Sequence, residues 1–120
     1  MAKPLPRPLQ IIAVERTCLT LRSGNRSRVE PWRAISLVLL AQVEWGEGTA
    51  LAAAITFDTG AKTQTAVLTE VHPEWTVFMV TAQSTLPGFV RRQDWERRIA
   101  KASHGVVVYE RDAYPSLSLN

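Results

Sequence analysis

The spacing of apolar residues along this chain changes close to Thr69, and this change limits the folds that the chain can adopt. Before Thr69, apolar and polar residues alternate in short runs, which is the spacing of β-strands with one buried face. After Pro73, apolar residues recur every three or four positions from Trp75 to Leu86, as they do along one side of a helix. The pattern predicts a sheet built first along the chain, followed by helices.

Six strands are predicted before Thr69. The runs are rich in Ile, Val, Leu and Thr and are bounded by Gly, Asn, Asp or Pro; they cover residues 9–14, 18–22, 26–30, 36–43, 51–57 and 62–69. Ser23-Gly24-Asn25 and Asp58-Thr59-Gly60-Ala61 have the residues of short hairpin turns. We therefore expect neighbouring runs to pair as antiparallel hairpins.

Two helices and a last strand are predicted after Thr69. Leu86-Pro87-Gly88 ends the first helix, because proline cannot continue its hydrogen bonding. Asp94 is suited to cap the second helix and to pair with Arg98 four residues later. Gly105 ends that helix, and residues 106–109 form the last strand. The expected architecture is α+β: a strongly bent antiparallel sheet or partial barrel of six to seven strands, covered by two C-terminal helices.

One domain is expected over residues 9–111, since 120 residues is an ordinary domain length. Residues 1–8 contain three prolines and two basic side chains, which favours a flexible basic arm, and residues 112–120 are expected to form a C-terminal tail. The single cysteine, Cys18, excludes an internal disulfide and suits a reducing compartment. No apolar run approaches the ~20 residues of a transmembrane helix. We expect a soluble cytoplasmic protein.

Charge is distributed unevenly along the chain. Residues 1–33 carry seven basic and two acidic side chains, whereas residues 34–90 carry one basic and five acidic. Such asymmetry is typical of a patch for a charged partner, or of solvated edges and helix faces. The net charge of +3 is small for a dedicated nucleic-acid binder, so nucleic acid is an unlikely partner.

A sheet of sequential hairpins followed by a helix resembles the pleckstrin-homology (PH-like) fold. More narrowly, the chain is similar to small uncharacterised bacterial domains of that shape. The motifs that carry this resemblance are Pro31-Trp32-Arg33-Ala34-Ile35, Trp75, Leu86-Pro87-Gly88, Trp95 and Val107-Val108-Tyr109-Glu110-Arg111. The resemblance implies a shape and no activity. The second helix and the late strand depart from an ordinary PH domain, which leaves the strand order open.

Four arginines form the candidate site for an anionic ligand: Arg22, Arg26, Arg28 and Arg33. The first three flank a predicted hairpin turn and are similar to the basic loop with which some PH domains hold phosphoinositide headgroups. Guanidinium groups that converge on a turn suit bidentate phosphate contacts. The alternative is a strand edge that is protected from aggregation by its charge.

Phe57-Asp58-Thr59-Gly60-Ala61 resembles the active-site turn of retroviral-type aspartic proteases, which act as homodimers. In that resemblance Asp58 would supply one of two paired carboxylates. That family also needs a Gly-rich flap and a later apolar-apolar-Gly segment. Nothing after Gly60 supplies that later segment, and an ordinary hairpin turn explains the same residues.

The remaining candidates are one cysteine, two histidines and the tryptophans. Cys18, His72 and His104 are too few and too scattered for a metal site, and no cofactor is expected. Trp75 and Trp95 lie on apolar stripes, whereas Trp45 lies beside Gly46-Glu47-Gly48 and is the candidate partner contact. We expect a non-catalytic binding or assembly module for a protein partner, a second copy or an anionic headgroup. The alternative is an aspartic-type hydrolase acting through Asp58.

Overall fold

The computed structural model describes residues 9–101 and 104–111. Along the chain, strands β1 (Leu9–Val14), β2 (Cys18–Ser23) and β3 (Arg26–Pro31) come first. A 3-10 turn (Trp32–Ala34) leads to β4 (Ile35–Trp45), β5 (Gly48–Asp58) and β6 (Thr63–Thr69). Helices α1 (Trp75–Thr85) and α2 (Arg92–Lys101) precede β7 (Val106–Glu110). The α+β class and all seven predicted strands are confirmed; the predicted arm and tail, residues 1–8 and 112–120, lie outside the described residues.

The seven strands form one sheet in the order β3-β2-β1-β6-β5-β4-β7. Two antiparallel meanders, β1–β3 and β4–β6, therefore meet where β1 lies beside β6. That pair is parallel and consists of one register match, Leu9 with Ala66. The prediction of a purely antiparallel sheet is wrong at this seam. β1 and β6 are far apart in the sequence, so no hairpin joins them and they can pair in parallel. Strands β3 and β7 are the two edges of the described sheet, which is not a closed barrel.

The core lies on one face of this sheet. Leu19 and Leu21 are fully buried while their neighbours Cys18, Thr20 and Arg22 point to the other face, as the alternation predicts. Both helices contribute to the same core through Phe78, Ala82 and Trp95. Burial of these apolar side chains is the main contribution to stability, at roughly 25 cal/mol per Å² of apolar surface.

The helices begin at slightly different residues from those predicted. Helix α1 begins at Trp75, and its apolar stripe buries Phe78, Ala82 and the following Leu86. Helix α2 begins at Arg92, so Asp94 lies within its first turn. The Asp94 carboxylate is 3.3 Å from Arg97, which makes the predicted pairing with Arg98 wrong by one position. Either neighbour is within reach on a helix, since residues three and four apart share a face.

Candidate functional site

The outer face of the sheet, opposite the core, carries more apolar side chains than is usual for a sheet face in contact with solvent. Residues paired across antiparallel strands point to the same side. Val67 pairs with Ala54, and Ala54 with Leu39, so these three side chains lie together on the outer face. Val67 is 56% exposed. An antiparallel sheet with one solvated face normally places polar residues there, so this face is a candidate contact surface.

Trp45 lies on this outer face at the end of β4. It pairs with Gly48 across a two-residue turn in which Gly46 has a φ of 61°. Such turns need positive φ, which glycine adopts without steric cost. The tight turn makes Trp45 part of the strand and not of a loop, and its side chain is 49% exposed. Its alternation with Ala41 and Val43 places the indole on the side occupied by Val67.

A groove of about 620 Å³ opens beside Trp45. We call it the Trp45 groove; it is lined by residues 9–12 of β1, residues 65 and 67–69 of β6, residues 72–74 and Trp45. It follows the seam between β1 and β6, whose pairing is limited to Leu9 and Ala66. The groove thus lies where the two meanders of the sheet meet.

A β-bulge shapes one wall of the groove. Ile11 pairs with Leu21 and Ala13 with Thr20, so Ile12 is the extra residue of β1. Its side chain is 39% exposed and lines the groove. Bulges re-aim side chains and are frequent beside functional sites. Here the bulge places an isoleucine at the solvent side of the groove.

The turn after β6, which also lines the groove, is held in place by hydrogen bonds. The backbone N–H of Thr69 donates to His72 Nδ1 at 3.1 Å, and the Thr69 hydroxyl lies 2.8 Å from the same nitrogen, so the ring orientation is fixed. Glu70 binds Leu51 twice: its N–H donates to the Leu51 carbonyl, and its carboxylate accepts from the Leu51 N–H at 2.8 Å. These bonds fix the position of Pro73 and Glu74 at the groove.

The charge at the groove is acidic. Glu74 is half-buried in its wall, and among the described residues that line the groove there is no lysine or arginine. Glu47, which is exposed, lies two residues after Trp45 in the turn between β4 and β5. An exposed indole face beside carboxylates attracts cations, since the ring quadrupole and the negative charges act in the same direction.

The four candidate arginines do not converge. Arg26 and Arg28 lie on the core side of the β2–β3 hairpin, paired with Ser23 and Leu21, whereas Arg22 points to the outer side. Arg28 is paired with Glu30 at 2.9 Å and donates a short hydrogen bond to Gln64. Arg22 donates to the carbonyl of Gly24 at 3.0 Å. The structure thus places Arg26 and Arg28 on one side of the hairpin and Arg22 on the other.

Arg33 is exposed in the 3-10 turn, beside a second cavity of about 470 Å³. Asp58 and Arg111 line the same cavity and form an ion pair at 3.5 Å. Arg111 also donates to the carbonyl of Arg33, so it joins the end of β7 to two turns. This mixed-charge arrangement gives the cavity no excess of positive charge for an anion.

Asp58 lies in the β5–β6 turn, where the sequence resembles an aspartic protease. Its Oδ1 accepts the Gly60 N–H at 2.9 Å, and its Oδ2 faces Arg111. The first bond is the ordinary Asx turn that aspartate makes two residues before a glycine. Gly60 has a φ of 88°, which explains why glycine follows. Both carboxylate oxygens therefore have structural partners.

No group of three or more His, Cys, Asp or Glu side chains within the described residues could hold a metal ion. Cys18 is half-buried, with its sulfur 3.9 Å from a Glu15 carboxylate oxygen. No helix in the described part of the chain is both long and apolar enough to cross a bilayer.

The chain matches no family model, no curated protein and no solved structure. The PH-like resemblance therefore stays a prediction. Trp45 was a candidate from its flanking glycines. The rest of the groove is formed by β1, β6 and residues 72–74, and β1 is remote in sequence from the other two. The only sequence signal for these walls is the alternation of apolar and polar residues, which places Ile12 and Val67 on the exposed face.

Proposed function

We propose that this protein is a non-catalytic binding module that holds an extended, basic segment of a polypeptide in the Trp45 groove. The observation that carries the proposal is the half-exposed indole of Trp45, set on an apolar sheet face at an acidic groove. Tryptophan is enriched among residues that dominate binding energy, because it buries a large area with few rotatable bonds. Leaving it exposed is costly unless a partner covers it.

The shape of the groove supports an extended ligand. Its two long walls are the strands β1 and β6, which run in the same direction with a rise of ~3.3 Å per residue. An extended segment laid along them can place side chains against Ile12, Val67 and Trp45. Grooves that present an aromatic side chain commonly recognise extended segments.

The charge distribution supports a basic partner over an anionic headgroup. A lysine or arginine of the partner would meet Glu74 and the indole face of Trp45, and the part of the groove wall that the structure describes has no cationic side chain to repel it. On the β2–β3 hairpin, by contrast, Arg28 is engaged by Glu30 and Gln64. A headgroup there would have to displace an ion pair that is already formed.

Selection from a displayed library of random nine-residue peptides tests the proposal. The wild-type protein is the bait at ~150 mM salt, where long-range surface attraction is screened, and Trp45→Ala is the counter-selection bait. We expect selected peptides to be enriched in lysine, arginine and apolar residues and to lose about tenfold or more in affinity for Trp45→Ala.

Val29→Ala is the matched control. Val29 is 61% exposed on β3 but does not line the groove, so its truncation should leave affinity within about twofold. Peptides that bind Trp45→Ala as well as wild type, or that are enriched in aspartate and glutamate, would contradict the proposed function.

A further inference from the structure

We infer that the segment held in the Trp45 groove is residues 1–8 of a second copy of this chain, so that two copies exchange their N-terminal segments. The inference rests on the function proposed above and names its partner. The segment reads Met-Ala-Lys-Pro-Leu-Pro-Arg-Pro: it has two basic side chains, no acidic one and a leucine between two prolines. These are the charge and the apolar character that the groove accepts.

The three prolines of this segment also favour binding in the groove. Alternating proline favours the extended polyproline II conformation, so such a segment loses little conformational entropy on binding. Proline-rich segments are commonly recognised by grooves that present an aromatic side chain. Trp45 supplies the aromatic ring and Pro73 a second rigid apolar surface. Lys3 and Arg7 would then lie within reach of Glu74 and of the exposed carboxylate of Glu47.

The direction of β1 favours exchange over binding within one chain. β1 starts at Leu9 beside Ala66 and runs parallel to β6, which leads to Pro73 and Glu74. A segment that precedes Leu9 enters from the opposite end, and it would have to reverse immediately at Pro8 to lie in its own groove. In a polyproline II conformation, eight residues span about 25 Å, which is enough to reach a neighbouring copy. A two-fold axis makes both exchanges equivalent.

A charge exchange between two full-length variants tests the inference. The first variant carries Lys3→Glu and Arg7→Glu, and the second carries Glu74→Lys. In each variant alone, the segment and the groove carry charges of the same sign, which should prevent the exchange. Light scattering at about 100 µM should therefore show a dimer for the wild type and a monomer for each variant. Mixed in equal amounts, the variants should form a heterodimer, because each segment then meets a groove of opposite charge. Binding within one chain would leave the mixture monomeric.

Two further variants complete the experiment. Arg98→Glu with Lys101→Glu makes the same charge change on the exposed face of α2 and should leave the dimer intact. If Glu74→Lys loses the circular dichroism of the native fold, Glu47→Lys in the exposed β4–β5 turn replaces it in the mixture. A monomeric wild type, a monomeric mixture, or variants that remain dimeric alone would each overturn the exchange. If library peptides still bind in a Trp45-dependent manner, the proposed function stands and only this partner is wrong.

Discussion

Trp32 connects the 3-10 turn to the β1–β2 connection and to helix α1. Its indole N–H donates to the Glu15 carbonyl at 2.8 Å, and its ring stacks on Phe78 of α1 with centroids 5.4 Å apart. It is 3% exposed. One side chain in the 3-10 turn thus holds both the β1–β2 connection and the first helix.

We expect Trp32→Phe to lower the free energy of unfolding by about 1–3 kcal/mol. Phenylalanine can keep the stacking on Phe78 but leaves the Glu15 carbonyl without its donor in a part-buried position. Urea denaturation measures the change. Trp45→Phe makes the same chemical change at an exposed site and should shift stability by less than about 0.5 kcal/mol. Equal losses in the two variants would contradict the role given to the Trp32 hydrogen bond.

Individual elements and their hairpin partners were predictable because each element carries its own periodicity, but pairings between strands remote in sequence were not. Leu19 and Leu21 mark a strand with one buried face wherever it pairs, and the turn at Gly24 joins β2 to β3 by proximity alone. The pairing of β1 with β6 brings together residues more than fifty positions apart. No local pattern encodes that choice, since it depends on how the two meanders cover one core. The Trp45 groove lies on this seam, so it could not be predicted either.

The last strand, β7, depends on a glycine at its start. A Cβ on Gly105 would lie 2.9 Å from the carbonyl oxygen of Leu40 and 3.0 Å from the side chain of Leu39. Both contacts belong to β4, the strand on which β7 pairs. Glycine at this position therefore allows the close approach of the two strands.

We expect Gly105→Ala to destabilise the protein by about 1–3 kcal/mol, because a backbone atom must move to make room. Gly48→Ala is the matched control: a Cβ there meets nothing within 4 Å. That variant should be neutral or slightly stabilising, since alanine restricts the unfolded chain. Thermal unfolding of both proteins measures the difference, and equal midpoints would show that β7 tolerates a wider spacing from β4.

At the scale of the whole molecule, the two meanders have few connections within the sheet. One parallel residue pair links β1 to β6. A second link crosses the core side, where Arg28 of β3 donates to Gln64 of β6 although two strands separate them in the sheet. That contact requires the sheet to curl between β3 and β6. Arg28 therefore acts as a structural connection between the halves.

We expect Arg28→Ala to lower the free energy of unfolding by about 1–3 kcal/mol. The substitution removes the Gln64 contact and leaves Glu30, whose side chain is 15% exposed, without its cation. Arg26→Ala removes the same charge from an exposed position on the same strand and should change stability by less than about 0.5 kcal/mol. Chemical denaturation of the two variants gives the comparison. If the arginines instead served an anion site on the hairpin, both variants would keep wild-type stability and both would lose binding to vesicles containing phosphoinositide. A loss of stability confined to Arg28→Ala would show that the conspicuous basic hairpin joins the two halves of the sheet.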